Sequence, residues 1–220
     1  MTAGFQTALC AEPLQRPICE AASPYRALVG EAAWRQLPQA VQCRFDRLLA
    51  PGESALYVGQ VASTALTNVG WIWSQVARAL GAPLPLRVLT HTAAAVVVTA
   101  DCSEHAQLWT RIYHEPGRLP QVVRSMKSFS GRTGLEERVG GGIGMALTVS
   151  VEARALVFRS VGYFWRCGRV RVPLPFWLTP GRIEVVHREE RTGRFSFTLN
   201  VTHPWFGQIV HQVAFFKDAC

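Results

Sequence analysis

Side chains alternate along an extended chain, so Trp109, Arg111 and Tyr113 share one face of a strand, with Leu108, Thr110 and Ile112 on the other. A guanidinium between two rings can hold a carboxylate through paired N–H bonds while the rings cover an apolar tail. The same spacing also suits an arginine stacked on its aromatic neighbours over solvent. Leu135, Glu137 and Val139 share a face as well. Apolar neighbours of matching parity turn Glu137 inward, where an unpaired carboxylate is costly. It therefore needs a partner, Arg111 or Arg124, or else a raised pKa suited to acid/base work. Glu136 has the opposite parity and is expected in solvent.

His211 alternates with Ile209, Val213 and Phe215, which makes it the histidine most expected to be buried, as a core group or a second acid/base. His187 follows Ile183 and Val185 with the same parity, and His203 precedes Pro204 in an expected turn. No HxH, HExxH or spaced carboxylate set marks a metal site, and no cofactor motif is present. Gly140-Gly141-Gly142-Ile143-Gly144 lacks the Lys-Ser/Thr of a phosphate loop and precedes a strand, so it reads as a turn and bulge. No GxSxG elbow occurs.

These residues need a scaffold, and the composition permits one. The 220 residues are 49% apolar and 17% charged, enough to build a core and to exclude disorder for most of the chain. The most apolar helical stretch, Val69–Leu80, is interrupted by Ser74, Gln75 and Arg78, which excludes a membrane-spanning helix. Charge is unevenly spread. Residues 111 to 194 hold 15 Arg or Lys and 7 Asp or Glu, so that segment alone accounts for the formal +8. The arginines are scattered through strand-like runs and are not gathered on a helix, which makes nucleic acid an unlikely partner and leaves an anionic small molecule open. Six cysteines without a CxxC pair read as reduced thiols. Residues 1–24 carry Pro13, Pro17 and Pro24 and no basic segment before an apolar core, so a poorly ordered leader and a cytoplasmic chain are expected.

The apolar spacing then predicts the elements. Two short helices split by Pro38 are expected over 25–49, and a short extended stretch over Leu56–Val61. A helix over Val69–Leu80, capped by Asn68, should bury Val69, Ile72, Trp73, Val76 and Ala77. From Leu86 the period becomes two, with turn residues between runs and no intervening helices. The expected fold is α+β: N-terminal helices on a large curved antiparallel sheet, a half-barrel of about eight strands, as one domain over 25–216. Leu156–Cys167 is apolar on both parities, so a core layer, a pocket or an interface covers each face.

One ordered set of short motifs remains. Tyr25…Leu37-Pro38…Arg44-Phe45, Trp109-x-Arg111-x-Tyr113, Ser128, Leu135-x-Glu137-x-x-Gly140, Leu174-Pro175…Leu178-x-Pro180, Phe195-x-Phe197 and Pro204-x-x-Gly207 follow one another. Their order resembles the bacterial family described as domain of unknown function 4166, over about residues 25 to 215. Asp46 departs from the family's pattern where a histidine is expected, and Tyr113 where phenylalanine is usual. The resemblance implies a domain that stands alone or is fused behind a saccharopine-dehydrogenase-like reductase, and it implies no particular reaction.

The expectation is therefore an apolar, anionic small molecule bound in the concave face of the sheet. Arg111 and Arg124 would fix the anion. Trp109, Tyr113, Ser128 and Trp165 would line the pocket, and Glu137, then His211, would supply acid/base chemistry for a cofactor-independent reaction. The alternative is a non-catalytic module that docks a reductase or a second copy.

Overall fold

The computed structural model describes residues 23–47, 49–79, 84–101, 106–168, 170–191 and 193–219. The alternating runs become strands β1 Ser54–Leu66, β2 Thr90–Ala100, β3 Ala106–His114, β4 Gln121–Ser128, β5 Leu135–Arg138 and β6 Ile143–Glu152. They continue with β7 Ala155–Cys167, β8 Val170–Leu174, β9 Arg182–Arg191, β10 Arg194–His203 and β11 Gly207–Asp218. Every pairing is antiparallel. The meander β1 to β7 continues through β9, β10 and β11 and returns to β1, so ten strands close into a barrel. β8 hangs on the second half of β7, outside the ring.

The expected half-barrel of about eight strands is thus corrected to a closed barrel of ten. The difference lies in β1, whose apolar signal covers only Leu56–Val61. The strand runs for 13 residues and pairs with both β2 and β11, joining what would otherwise be two free edges. The double-sided reading of Leu156–Cys167 holds only in part. Ala155 to Phe158 is buried on both parities where β7 lies between β6 and β9, whereas Val161 and Trp165 are exposed.

The end where β1 starts is plugged by α1 Pro24–Val29, α2 Glu31–Trp34 and α3 Gln39–Asp46. Pro38 separates α2 from α3 as expected. Gly30, at φ +84°, adds a second break by taking a conformation that other residues resist. Tyr25 drops into the barrel, packs edge-on against Phe45, Phe129 and Phe158, and donates a 2.9 Å bond to Gln107 Oε1. From α3, Arg44 stacks 3.8 Å above the Phe195 ring and reaches Glu189 and His187.

The opposite end carries α4 Asn68–Ala79. Its cap is Thr67, not Asn68, since Thr67 Oγ1 accepts from the Gly70 amide at 3.1 Å. Its packed face matches the expected stripe in part. Ala77 is buried and Val69 and Trp73 are half-buried against the core, but Gly70 and Ser74 make the closest contacts, and Ile72 and Val76 are exposed together with Trp71. The barrel backbone leaves no room for a large side chain there: a Cβ on Gly70 would lie 2.1 Å from Ile209 O.

Candidate functional site

Inward-facing residues of β2 to β7 and β9 to β11 line a cavity of about 100 Å³ in the barrel lumen. Its walls are largely apolar, with Val96, Leu147, Phe158, Val185, Phe197 and Phe216 among them. A second cavity of about 100 Å³ lies beneath α4 and is lined by Val76, Ala77, Tyr163 and Leu178. Leu84, Glu137, Met145 and Ile183 line both. Glu137 therefore stands between two apolar chambers.

Three ionic groups meet there. The Lys127 ammonium lies 2.9 Å from Glu137 Oε2, and the Arg111 guanidinium lies 3.5 Å from Glu137 Oε1. Arg111 also donates to Ser125 Oγ at 3.1 Å. Trp109 presents its ring to Lys127 Nζ at 4.7 Å and to the Arg111 guanidinium at 5.9 Å. Burial would raise the Glu137 pKa, but Lys127, Arg111 and a Ser125 hydrogen bond outweigh it and hold the carboxyl well below its usual range. Burial and the neighbouring Arg111 push the Lys127 ammonium down, against the pull of Glu137. Two cations face a single carboxylate, which lowers Glu137 and adds to the effect of burial on Lys127.

Strand parity correctly brings Trp109, Arg111, Tyr113 and Glu137 to one lumen wall. Of the two possibilities raised for Glu137, the structure realises the ion pair. Arg124 does not take part, because it points outward from β4 and is exposed. Ser128 shares that outward parity; it is buried at the end of β4 beside Ser130 and lines neither cavity. Trp165 lies at the rim, 42% exposed, with Nε1 donating to Gly141 O. His211 sits outside the barrel, half-buried, in a 2.6 Å hydrogen bond with Asn200 Oδ1. Its alternation with Ile209, Val213 and Phe215 marked an outer face covered in part by neighbouring elements.

Glu136 is a further correction. It is fully buried and not solvated, because Arg171 reaches across from β8 to bond it while stacking 3.8 Å from the Phe164 ring. His187 is fully buried inside the barrel, and His203, at the end of β10, is buried as well. The His187 Nε2 accepts from Arg44 at 3.1 Å, and burial, aided by the Arg44 charge, lowers the His187 pKa to about 3. Lys127 was missed, although its parity with Val123 and Ser125 placed it on the lumen side. Gln212 and Thr64 form a buried 3.0 Å hydrogen bond, and Gln212 lines the first cavity. Among the described residues, no cluster of three His, Cys, Asp or Glu is placed to hold a metal. No helix among them is long and apolar enough to cross a membrane.

A family model matches residues 37–216 of this chain, and the family is described as domain of unknown function (DUF4166). The chain belongs to this family. The match spans α3 and the eleven strands up to the last two residues of β11, so the barrel is the DUF4166 unit. No curated protein and no solved structure matches the chain. The lumen groups of this DUF4166 chain therefore have to be read from their own chemistry.

Proposed function

We propose that the barrel binds a small, largely apolar molecule carrying one anionic group, with that group beside Arg111 and Lys127. The observation that carries this reading is the charge count in the lumen, where two cations share one carboxylate between largely apolar walls. Surplus buried charge is costly unless it is compensated, and a ligand carboxylate, sulfonate or phosphate compensates it. Closed barrels of this size hold side chains or one small ligand in the lumen. Glu137 serves as the fixed counter-ion that orients both cations. A carboxyl held so far below its usual range is a poor proton donor, so the reading is of binding and not of acid/base turnover.

Calorimetric titration with octanoate and octanol tests this. Octanoate is expected to bind about tenfold or more tightly than octanol, and Arg111→Met to remove most of that preference. Equal affinity for the two, or no affinity for octanoate by the folded chain, overturns the reading.

A further inference from the structure

The end of the barrel that carries α4 presents an unusual set of exposed side chains. Trp71 and Ile72 project from the outer face of α4, Phe176 and Trp177 from the turn after β8, and Trp205 and Phe206 from the β10–β11 turn. Each is more than half exposed. They form a connected collar: the Phe176 and Trp205 rings meet edge-on at 5.2 Å, and Val76 and Leu178 line the cavity that opens beneath α4. α4 is apolar on more than its packed side: Gly70, Ser74, Ala77 and the half-buried Val69 and Trp73 face the barrel, while Trp71, Ile72 and Val76 remain exposed.

Exposed basic side chains edge this collar. No Asp or Glu occurs in the segment from residue 153 to residue 183, and although Arg154 lies at the plugged end and Arg159 and Arg171 are ion-paired, others of its arginines are not. Arg166 and Arg182 from it, and Arg78 of α4, are exposed, and none pairs with a carboxylate among the described residues. Tryptophan and phenylalanine edged by free arginine match the boundary between lipid acyl chains and anionic headgroups. A protein partner of ordinary composition offers no reason for this pairing of indoles with unbalanced positive charge.

We propose that this face docks on the surface of an anionic lipid bilayer, with α4 and the two aromatic turns seated in the headgroup layer. The docked barrel directs the cavity between Val76 and Leu178 at the membrane, so that an apolar molecule passes between bilayer and lumen without crossing water. Docking is independent of what the lumen holds.

Sedimentation of the full chain with vesicles tests it. Wild type is expected to pellet with vesicles of equal parts phosphatidylcholine and phosphatidylglycerol, to remain soluble with phosphatidylcholine alone, and to be released by high salt. The double variant Trp71→Ser, Trp177→Ser, both at exposed positions, is expected to bind about tenfold more weakly with its circular dichroism unchanged. Arg166→Gln with Arg182→Gln is expected to lose the preference for phosphatidylglycerol. Wild type that stays soluble with anionic vesicles, or pellets as well in the double tryptophan variant, overturns the proposal. So does a dimer in analytical ultracentrifugation that the double tryptophan variant dissolves, because the collar is then a protein interface.

Discussion

Lys127 and Glu137 stand directly opposite each other on β4 and β5, with ammonium and carboxylate 2.9 Å apart inside the barrel. β5 is four residues long and meets β4 through only three register pairs, which makes this the narrowest seam of the barrel. The strand is pinned from both sides. Glu137 binds Lys127 and Arg111 within the lumen, while Glu136 binds Arg171 outside it. Two adjacent carboxylates thus do opposite-facing work on one short strand.

Removing the lumen carboxylate leaves two buried cations uncompensated. Glu137→Gln is expected to lose about 3 kcal/mol of folding stability in urea. Adding Lys127→Met is expected to restore more than half of that, since one surplus charge goes with it. A double variant no more stable than Glu137→Gln would show that the pair is not the source of the loss. The folded fraction of Glu137→Gln is also expected to bind octanoate more tightly than wild type, because the anion then has no internal competitor. Weaker binding would assign Glu137 a direct contact with the ligand.

How much of this was legible can be argued residue by residue. The two-residue period located most strands and set Trp109, Arg111, Tyr113 and Glu137 on one wall, because the face of a strand is a local property of the chain. Closure was not legible. It depends on pairing β1 with β11 across some 150 residues of sequence, and nothing in Gly59 or Ser63 within β1 announces it. Alternation says that two residues share a face and is silent on which face is the inside, so it does not place His211 outside the barrel. For Glu136 the face is as parity predicts, and what the spacing does not show is that Arg171 of β8 covers it. α4 departs in part for a related reason: its spacing points Ile72 and Val76 to the core along with Val69, Trp73 and Ala77, yet the close contacts with the rim are made by Gly70 and Ser74, which leaves Ile72 and Val76 exposed.

His187 makes the fold sensitive to acid. Burial, with the Arg44 charge behind it, lowers its folded pKa from 6.5 to about 3, so the native state favours the neutral ring. Protons then bind the unfolded chain preferentially, and stability falls as pH drops below 6.5, with the loss continuing to about 3. Between pH 7 and pH 5 this amounts to about 2 kcal/mol. Glu137 acts in the same direction but later, because a lowered carboxyl loses its contribution only below the usual carboxylate range. Urea midpoints at the two pH values are expected to converge for His187→Gln, whose amide oxygen can still accept from Arg44. Equal pH slopes in the variant and wild type would place the sensitivity elsewhere.

Gly70 sets local preference against packing. In an isolated helix, Gly70→Ala is favourable by about 1 kcal/mol. Here the new methyl would lie 2.1 Å from Ile209 O, which already accepts from the Thr67 amide at 3.1 Å. Neither backbone can yield without breaking that bond, and with it the cap that starts α4. Gly70→Ala is therefore expected to lose about 2 kcal/mol net despite its better helix propensity. Ser74→Ala removes only a hydroxyl bonded to Gly70 O and is expected to change stability little, because that carbonyl also belongs to the helix ladder. A thermal melt of the two variants decides the matter. If Gly70→Ala raises the midpoint, α4 is not clamped to the barrel at this position and its outward apolar face is not fixed by the fold.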